Sequence, residues 1–485
     1  MALSVDGLIT GMNTTDTVKQ LMQVEAIPQA ALQTKATAQT KIVTAYQSIN
    51  SRMSSLVTAA HALGDANTWG AMRTTSSSDA AAISASPGAS AGTLSFRVDH
   101  LVATQTTTFT APPVAITSVS DAVLSPVISG GTFDITLADG TSKTLTPDDA
   151  SLQSVVKAIN GEAASAYKAT VVQINPGEYT LQLTGKKAGL TGVFAQPVID
   201  LLGSPVNTTE GSNAQITVGT TNPYVMTSAT NTFADVLPGV TVTAVREQAL
   251  TDARITIGVT TDVAGMAAKV QALVDNANVA LNEIASQTKI KTGDVAAGVL
   301  VGDSAMRKLS QDILSAVSGG ADGLGTLGAT GSFSTVGVGL DRSGKLTFDN
   351  AKFTSAYAAD PATTQKYFDS YTDVTHAKAV AGTFEPGWDT AGGLGRKLEA
   401  VALLASEGVA LPTDSVTATK QGVLSGLIRS RTDSIAELNE QVSDWDVRLD
   451  LRKTALNLQF TNLEVAMGKM KSQSSWLAGQ LASLG

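Results

Sequence analysis

Ile428, Ile435, Val442, Leu449, Leu456, Leu463, Met470, Leu477 and Leu484 recur every seven residues without a break. Only a helix returns a side chain to the same face after seven steps, so these nine positions commit the C-terminal segment to one long helix. Their seam partners lie three residues on at first, at Leu438 and Trp445, and later four residues on, at Phe460, Met467 and Leu481. That slide follows from setting a seven-residue repeat on a 3.6-residue turn, and it predicts weak supercoiling. Leu451, Leu458 and Val465 add a second apolar stripe on the opposite face, and a helix apolar on two sides is buried between more than one neighbour. After Lys471 no charge remains, so SQSSWLAGQLASLG reads as a tail to be enclosed by an assembly.

A second seam stands near the other end. Ile42, Tyr46, Ile49, Met53, Leu56, Ala60 and Leu63 follow steps of 4, 3, 4, 3, 4 and 3, again a coiled-coil pattern. Upstream, Val18, Leu21 and Met22 begin a shorter helical pattern behind Asp16 as cap, and Pro28 is expected to break or kink it. The first fifteen residues carry one charge and no period, and are expected to be disordered in a free monomer.

Strand signals occupy the middle. Leu94, Phe96 and Val98 alternate, as do Val240, Val242 and Ala244 after Pro238-Gly239, then Ile255, Ile257 and Val259, and these pieces are expected to share one sheet. Nested among them is a compact α+β unit. Phe133, Ile135 and Leu137 run into an Asp139-Gly140 turn, a helix carries Leu152, Val155, Val156 and Ile159, and strands flank Asn175-Pro176-Gly177. Helices resume at Val263 to Ile284 behind Asp262, and at Met306 to Val317 behind Asp303; a hairpin at Asp341 to Gly344 precedes a helix opened by Asp360-Pro361.

The composition removes several function classes. With 33 Lys plus Arg against 42 Asp plus Glu the net charge is −9, and no basic block supports nucleic-acid binding. Cysteine is absent, so packing alone holds the chain, without disulfides or thiolate chemistry. No apolar run is long enough to cross a membrane, and the N-terminus lacks a basic region and a small-residue cleavage site, so export would need a route without signal-peptide cleavage. Gly88-Ala89-Ser90-Ala91-Gly92 fits a hydrolase nucleophile pattern, but Pro87 precedes it and strand-like residues follow where a helix is required. His61, His100 and His376 share no ligand spacing, and GLGRK at 393–397 lacks the spacing of a phosphate loop. No catalytic, cofactor-binding or metal-binding residue is assigned, and no cofactor is expected.

GLITGMNTTDTVKQLMQVEAIPQAALQTK, with Gly7-Leu8, Val18, Leu21-Met22, Glu25 and Pro28, resembles the amino-terminal signature of the flagellar filament cap family, also called FliD or hook-associated protein 2. TSATNTFADVLPGVTVT, VLVGDSAMRKL, VGLDRSGKLTFDNAKF and QFTNLEVAMGKMKSQSSWLAGQL resemble its later blocks in order, with Asn462 where the family often has Met. Ala158-Ile159-Asn160 resembles the short Ile-Asn motif repeated in flagellin-related proteins.

The resemblance implies an α+β multidomain fold in which terminal coiled-coil or helical legs flank inserted β-rich head domains. The expected division is a flexible leg segment at 1–41, a helical leg domain at 42–73 plus 262–430, a β-rich head at 74–125 plus 211–261, an inserted α+β head at 126–210, and a coiled-coil leg at 431–485. It also implies a non-enzymatic cap at the filament tip, a homo-oligomeric ring that promotes flagellin polymerisation. The implied partners are other copies, flagellin, the hook-filament junction protein, the export chaperone and the type III export apparatus, with neither nucleic acid nor membrane. The expected assembly seam comprises Ile42, Tyr46, Ile49, Met53, Leu56, Leu63, Ile435, Leu438, Val442, Trp445, Leu449, Leu456, Phe460, Leu463, Met467, Met470, Leu477 and Leu481. Another flagellar axial or junction protein, or a secreted adhesin, is the alternative.

Overall fold

The computed structural model describes residues 13–109, 115–325, 328–376, 382–409 and 421–482, so the expectations for residues 1–12 and for Leu484 lie outside the described residues. Met1–Asp65 with Met266–Gly485 make one unit, the leg, and Ala66–Gly265 the other, the head.

Asn13 opens α1 (Thr14–Glu25), accepting from the Asp16 N–H at 3.1 Å while its own amide donates to the Asp16 carboxylate. The cap is therefore Asn13, and Asp16 serves the first turn, where a negative charge meets the exposed N–H groups. The helix breaks at Ala26, and Pro28 stands in the first turn of α2 (Ile27–Gly64), where its missing N–H costs nothing. Residues 14–25 and 27–41, expected to belong to a flexible segment, are thus helical.

The head begins with α3 (Ala66–Trp69), β1 (Met72–Ser76), β2 (Ala81–Ala85), β3 (Gly92–His100) and β4 (Thr106–Phe109). Next come β5 (Phe133–Thr136), β6 (Ser142–Leu145), α4 (Leu152–Gly161), β7 (Tyr167–Asn175) and β8 (Glu178–Gly185). It closes with β9 (Pro205–Thr209), β10 (Ala214–Val218), β11 (Tyr224–Ser228), β12 (Thr232–Leu237), β13 (Val240–Ala244) and β14 (Ile255–Thr261).

One sheet runs β1-β14-β3-β10-β11 and another β12-β13-β2, and Phe96, Val98, Ile216, Ile257, Phe233 and Val242 from both form one core. Alternation supplies the reason: each strand buries one face, and two such faces cover each other. β3 and β14 are neighbours, with Leu94 opposite Ile257, but β13 lies in the facing sheet, so the three patterned pieces do not share one sheet. Between β3 and β10 the chain leaves to build a second lobe, the sheet β7-β8-β4-β9 with α4 packed on it. There Leu152, Val155 and Ile159 meet Tyr167, Leu181 and Leu183 in a separate core. Asp139-Gly140 and Pro238-Gly239 turn as expected, with Gly140 at φ 84° and Gly239 at φ 77°, a region costly for residues with a Cβ.

The leg continues with α5 (Val263–Thr288), α6 (Ser304–Ser318), the hairpin β15 (Val338–Leu340) and β16 (Leu346–Phe348), α7 (Asn350–Ala359) and α8 (Pro361–Asp369). The short pair β17 (Tyr371–Thr372) and β18 (Thr390–Ala391) precedes α9 (Leu394–Ser406) and α10 (Val423–Ala482). α10 has 60 residues, about 90 Å at 1.5 Å per residue, and crosses the expected boundary at 430/431 without interruption.

Candidate assembly surface

α2 and α10 pair antiparallel. The Gln39 amide oxygen accepts from Arg431 at 3.3 Å and Gln29 donates to the Asp446 carboxylate at 2.5 Å, and beyond them Arg452 meets Glu25 at the end of α1 at 3.3 Å. Along this contact α10 turns its heptad face inward. Ile435, Leu438, Val442, Trp445, Leu449 and Phe460 are half-buried and Leu456 is buried. Past Phe460 the same stripe is bare: Leu463 is 46% exposed, Met470 55% and Leu481 65%, and Met467 and Leu477 are exposed with them. The second stripe is bare as well, at Leu451, Leu458 and Val465.

The N-terminal seam is placed differently. Tyr46, Ile49, Met53, Leu56 and Leu63 are buried and Ile42 half-buried, because α2 runs along both α9 and α10 of its own chain. These positions therefore pack inside one leg, a correction to the expectation that they form a surface between copies. Tyr46 donates to Asp303, whose other oxygen caps α6 through the N–H groups of Ala305 and Met306. Burial, reinforced by the bond to Asp303, pushes the Tyr46 phenol up to about 12.

The remaining candidates are structural. Gly88 lies at φ 76° in the turn between β2 and β3, so its motif has no strand-to-helix elbow. His61 bonds Glu399 at 2.7 Å, His376 bonds Glu385 at 2.7 Å and stacks on Trp388 at 4.1 Å, and His100 ends β3. Among the described residues no three His, Asp or Glu side chains gather as a metal site, and no helix is long and apolar enough to cross a membrane. A cavity of about 500 Å³ between α6 and α9 is lined by Met306, Leu309, Val401, Leu404 and Leu424. The charges at its rim are engaged, Lys308 by Asp312 and Lys397 by Asp322 and the Gly320 carbonyl.

GLGRK turns out to be a packing device that sequence reasoning missed. A Cβ on Gly395 would lie 2.8 Å from the Phe368 carbonyl oxygen, so only glycine lets α9 come this close. Arg396 donates to the Gly64 carbonyl at 2.7 Å and to Glu399 at 2.9 Å, under the rings of Tyr371 and Phe384. It thereby fastens the C-terminal end of α2.

Against known proteins, residues 211–472 match the flagellar hook-associated protein 2 C-terminus and residues 10–105 its N-terminus. The chain belongs to the flagellar hook-associated protein 2 family. Flagellar hook-associated protein 2 of Escherichia coli K12 is 25% identical over 514 aligned positions, covering 99% of this chain and 98% of the relative. The lateral flagellar hook-associated protein 2 of Vibrio parahaemolyticus is 31% identical over 143 residues, covering 30% of this chain and 31% of the relative. The crystal structure of the D1-D2-D3 domains of the Escherichia coli flagellar cap protein FliD shares the fold, with a TM-score of 0.57 at 21% identity, covering 80% of this chain and 99% of that one. The α+β multidomain architecture, helical at the ends and β-rich between, is thus that of the family.

Proposed function

We propose that this protein is a structural cap at the distal end of the bacterial flagellar filament, assembling with copies of itself into a ring and promoting flagellin polymerisation beneath it. The observation that carries the reading is the bare stretch of α10 past Phe460. Leu463, Met467, Met470, Leu477 and Leu481 continue a seam whose earlier members are covered by the chain's own helices, and a second stripe faces the other way. A contiguous exposed apolar surface of this kind marks an interaction site, and two stripes suit a helix with neighbours on both sides. Membership of the hook-associated protein 2 family supports the cap assignment.

On this reading the protein works outside the cell at the filament tip and is exported by the flagellar type III apparatus without cleavage. The export chaperone covers the apolar stripe before assembly, and the hook-filament junction protein receives the first ring. No catalytic step is involved, and adhesion through the head is a second role. Expression in a cap-deficient strain tests the assignment: restored filaments and motility are expected, and flagellin that continues to leak into the medium overturns it.

A further inference from the structure

Sheet edges are sites where a chain invites another strand, and natural edges are blunted by charge, proline, bulges or cover. Among the described residues, the head edges show these devices with one exception. β1 carries Arg73 and lies beside β2, with Thr74 Oγ1 donating to the Ile83 carbonyl at 3.4 Å. β12 has a register shift and Asp235 at φ 53°, β9 opens on Pro205 and has another register shift at its far end, between Asn207 and Thr209, β7 carries Lys168, and β6 carries Lys143. β11 carries no charge, proline or register shift, and only its last residue meets another strand on that side, with Ser228 Oγ donating to the Thr232 carbonyl of β12 at 2.7 Å. Its residues Tyr-Val-Met-Thr-Ser pair with β10 in unbroken register from Ser228 to Tyr224, and Pro223 stands just outside the pairing stretch. Tyr224 is 52% and Val225 54% exposed, and no backbone bond among the described residues reaches β11 from its outer side.

The geometry points to β11 as a strand-pairing edge whose occupant is β11 of a second copy, related by a twofold axis and antiparallel. An odd-length strand pairs with itself about its central residue, here Met226, placing Val225 opposite Thr227 and Tyr224 opposite Ser228. Every such pair is uncharged and joins residues suited to strands, so two chains of net charge −9 meet there without opposing like charges. The contact is isologous, whereas a ring closes through heterologous contacts, so it joins two free chains or two rings head to head, apart from the α10 stripe.

The absence of cysteine gives a clean probe. In the full-length chain, Met226→Cys places the sole thiol opposite its own counterpart, within reach of a disulfide. Mild oxidation is expected to give a covalent dimer, while Thr227→Cys, which faces Val225 of the second copy, is expected to stay monomeric on a non-reducing gel. A second arm uses Val225 and Thr227, both exposed. V225K/T227K opposes lysines twice across the twofold axis and should weaken solution dimerisation about tenfold without lowering the melting temperature. V225K/T227E opposes Lys to Glu and should restore it. Absence of a disulfide in folded Met226→Cys, or equal dimerisation by V225K/T227K and V225K/T227E, overturns the inference. Both readouts report β11 alone, so rings formed through α10 without the disulfide refute this edge and leave the cap reading standing.

Discussion

A primary amide offers one donor and one acceptor side, as a peptide unit does, and Asn160 and Asn278 both exploit the match. Asn160 donates to the Ala169 carbonyl at 2.8 Å and accepts from its N–H at 2.9 Å, binding α4 to β7. Asn278 does the same to Leu346 at 2.9 and 2.8 Å, binding α5 to β16. Asn278→Ala leaves both groups of buried Leu346 without their partner and should cost about 2–3 kcal/mol in urea unfolding of the leg. Asp99 illustrates the pH side. Burial pushes its carboxyl up, but bonds from Thr217, Arg97 and Gln215 more than offset this, so its pKa sits below the ordinary carboxylate range. A depressed folded pKa stabilises above the unfolded value, roughly 4, and that stability is lost as pH falls through the folded value. Asp99→Asn should therefore lower the head's melting temperature at pH 7, and the gap from the unmodified protein should narrow on acidification below about pH 4.

At the scale of elements, α10 is one helix with two fates. Its first part is held by α1 and α2, and its last part, among the described residues, presents apolar side chains outward. Leu463→Ala should leave the melting of dilute monomer nearly unchanged while weakening ring formation and motility, since the loss recurs in each subunit. Met53→Ala, at a position with no exposed surface, should instead destabilise the monomer by about 2–5 kcal/mol. Calorimetry and native mass spectrometry on the two variants separate the cases. A Leu463→Ala protein that melts clearly lower yet assembles normally would mean that this stretch packs within its own chain.

For the molecule as a whole, the head is an insertion within the leg, so the leg's core is built from the two ends of the chain. Gln29 meets Asp446 across 417 residues, and the leg cannot be completed until the C-terminal segment has been made. Limited trypsin digestion of monomer should cut first at the exposed Lys469 and Lys471, before any site within the head strands, because cleavage follows local opening of the least supported backbone. Mass spectrometry of the first fragments checks this. Early cleavage at Arg97 or Lys168 with the α10 end intact would contradict it.

Periodicity, caps and turns are local, and the sequence by itself determined them: the heptad run of α10, Asp303 and Asp360 as caps, and the glycine turns at Gly140 and Gly239. Family membership was also legible, because it rests on ordered blocks along the chain. Only the tertiary structure decided what each apolar face meets. Tyr46 and Leu63 carry the same pattern as Leu463, yet the first two are sealed by α9 and α10 while the third is bare. Likewise β13 and β14 alternate identically but belong to facing sheets, and GLGRK, which lacks the spacing of a phosphate loop, shows its packing role only once Arg396 is seen on the Gly64 carbonyl. A repeat states which side of an element is apolar; which surface covers that side depends on residues hundreds of positions away, brought near only by the fold.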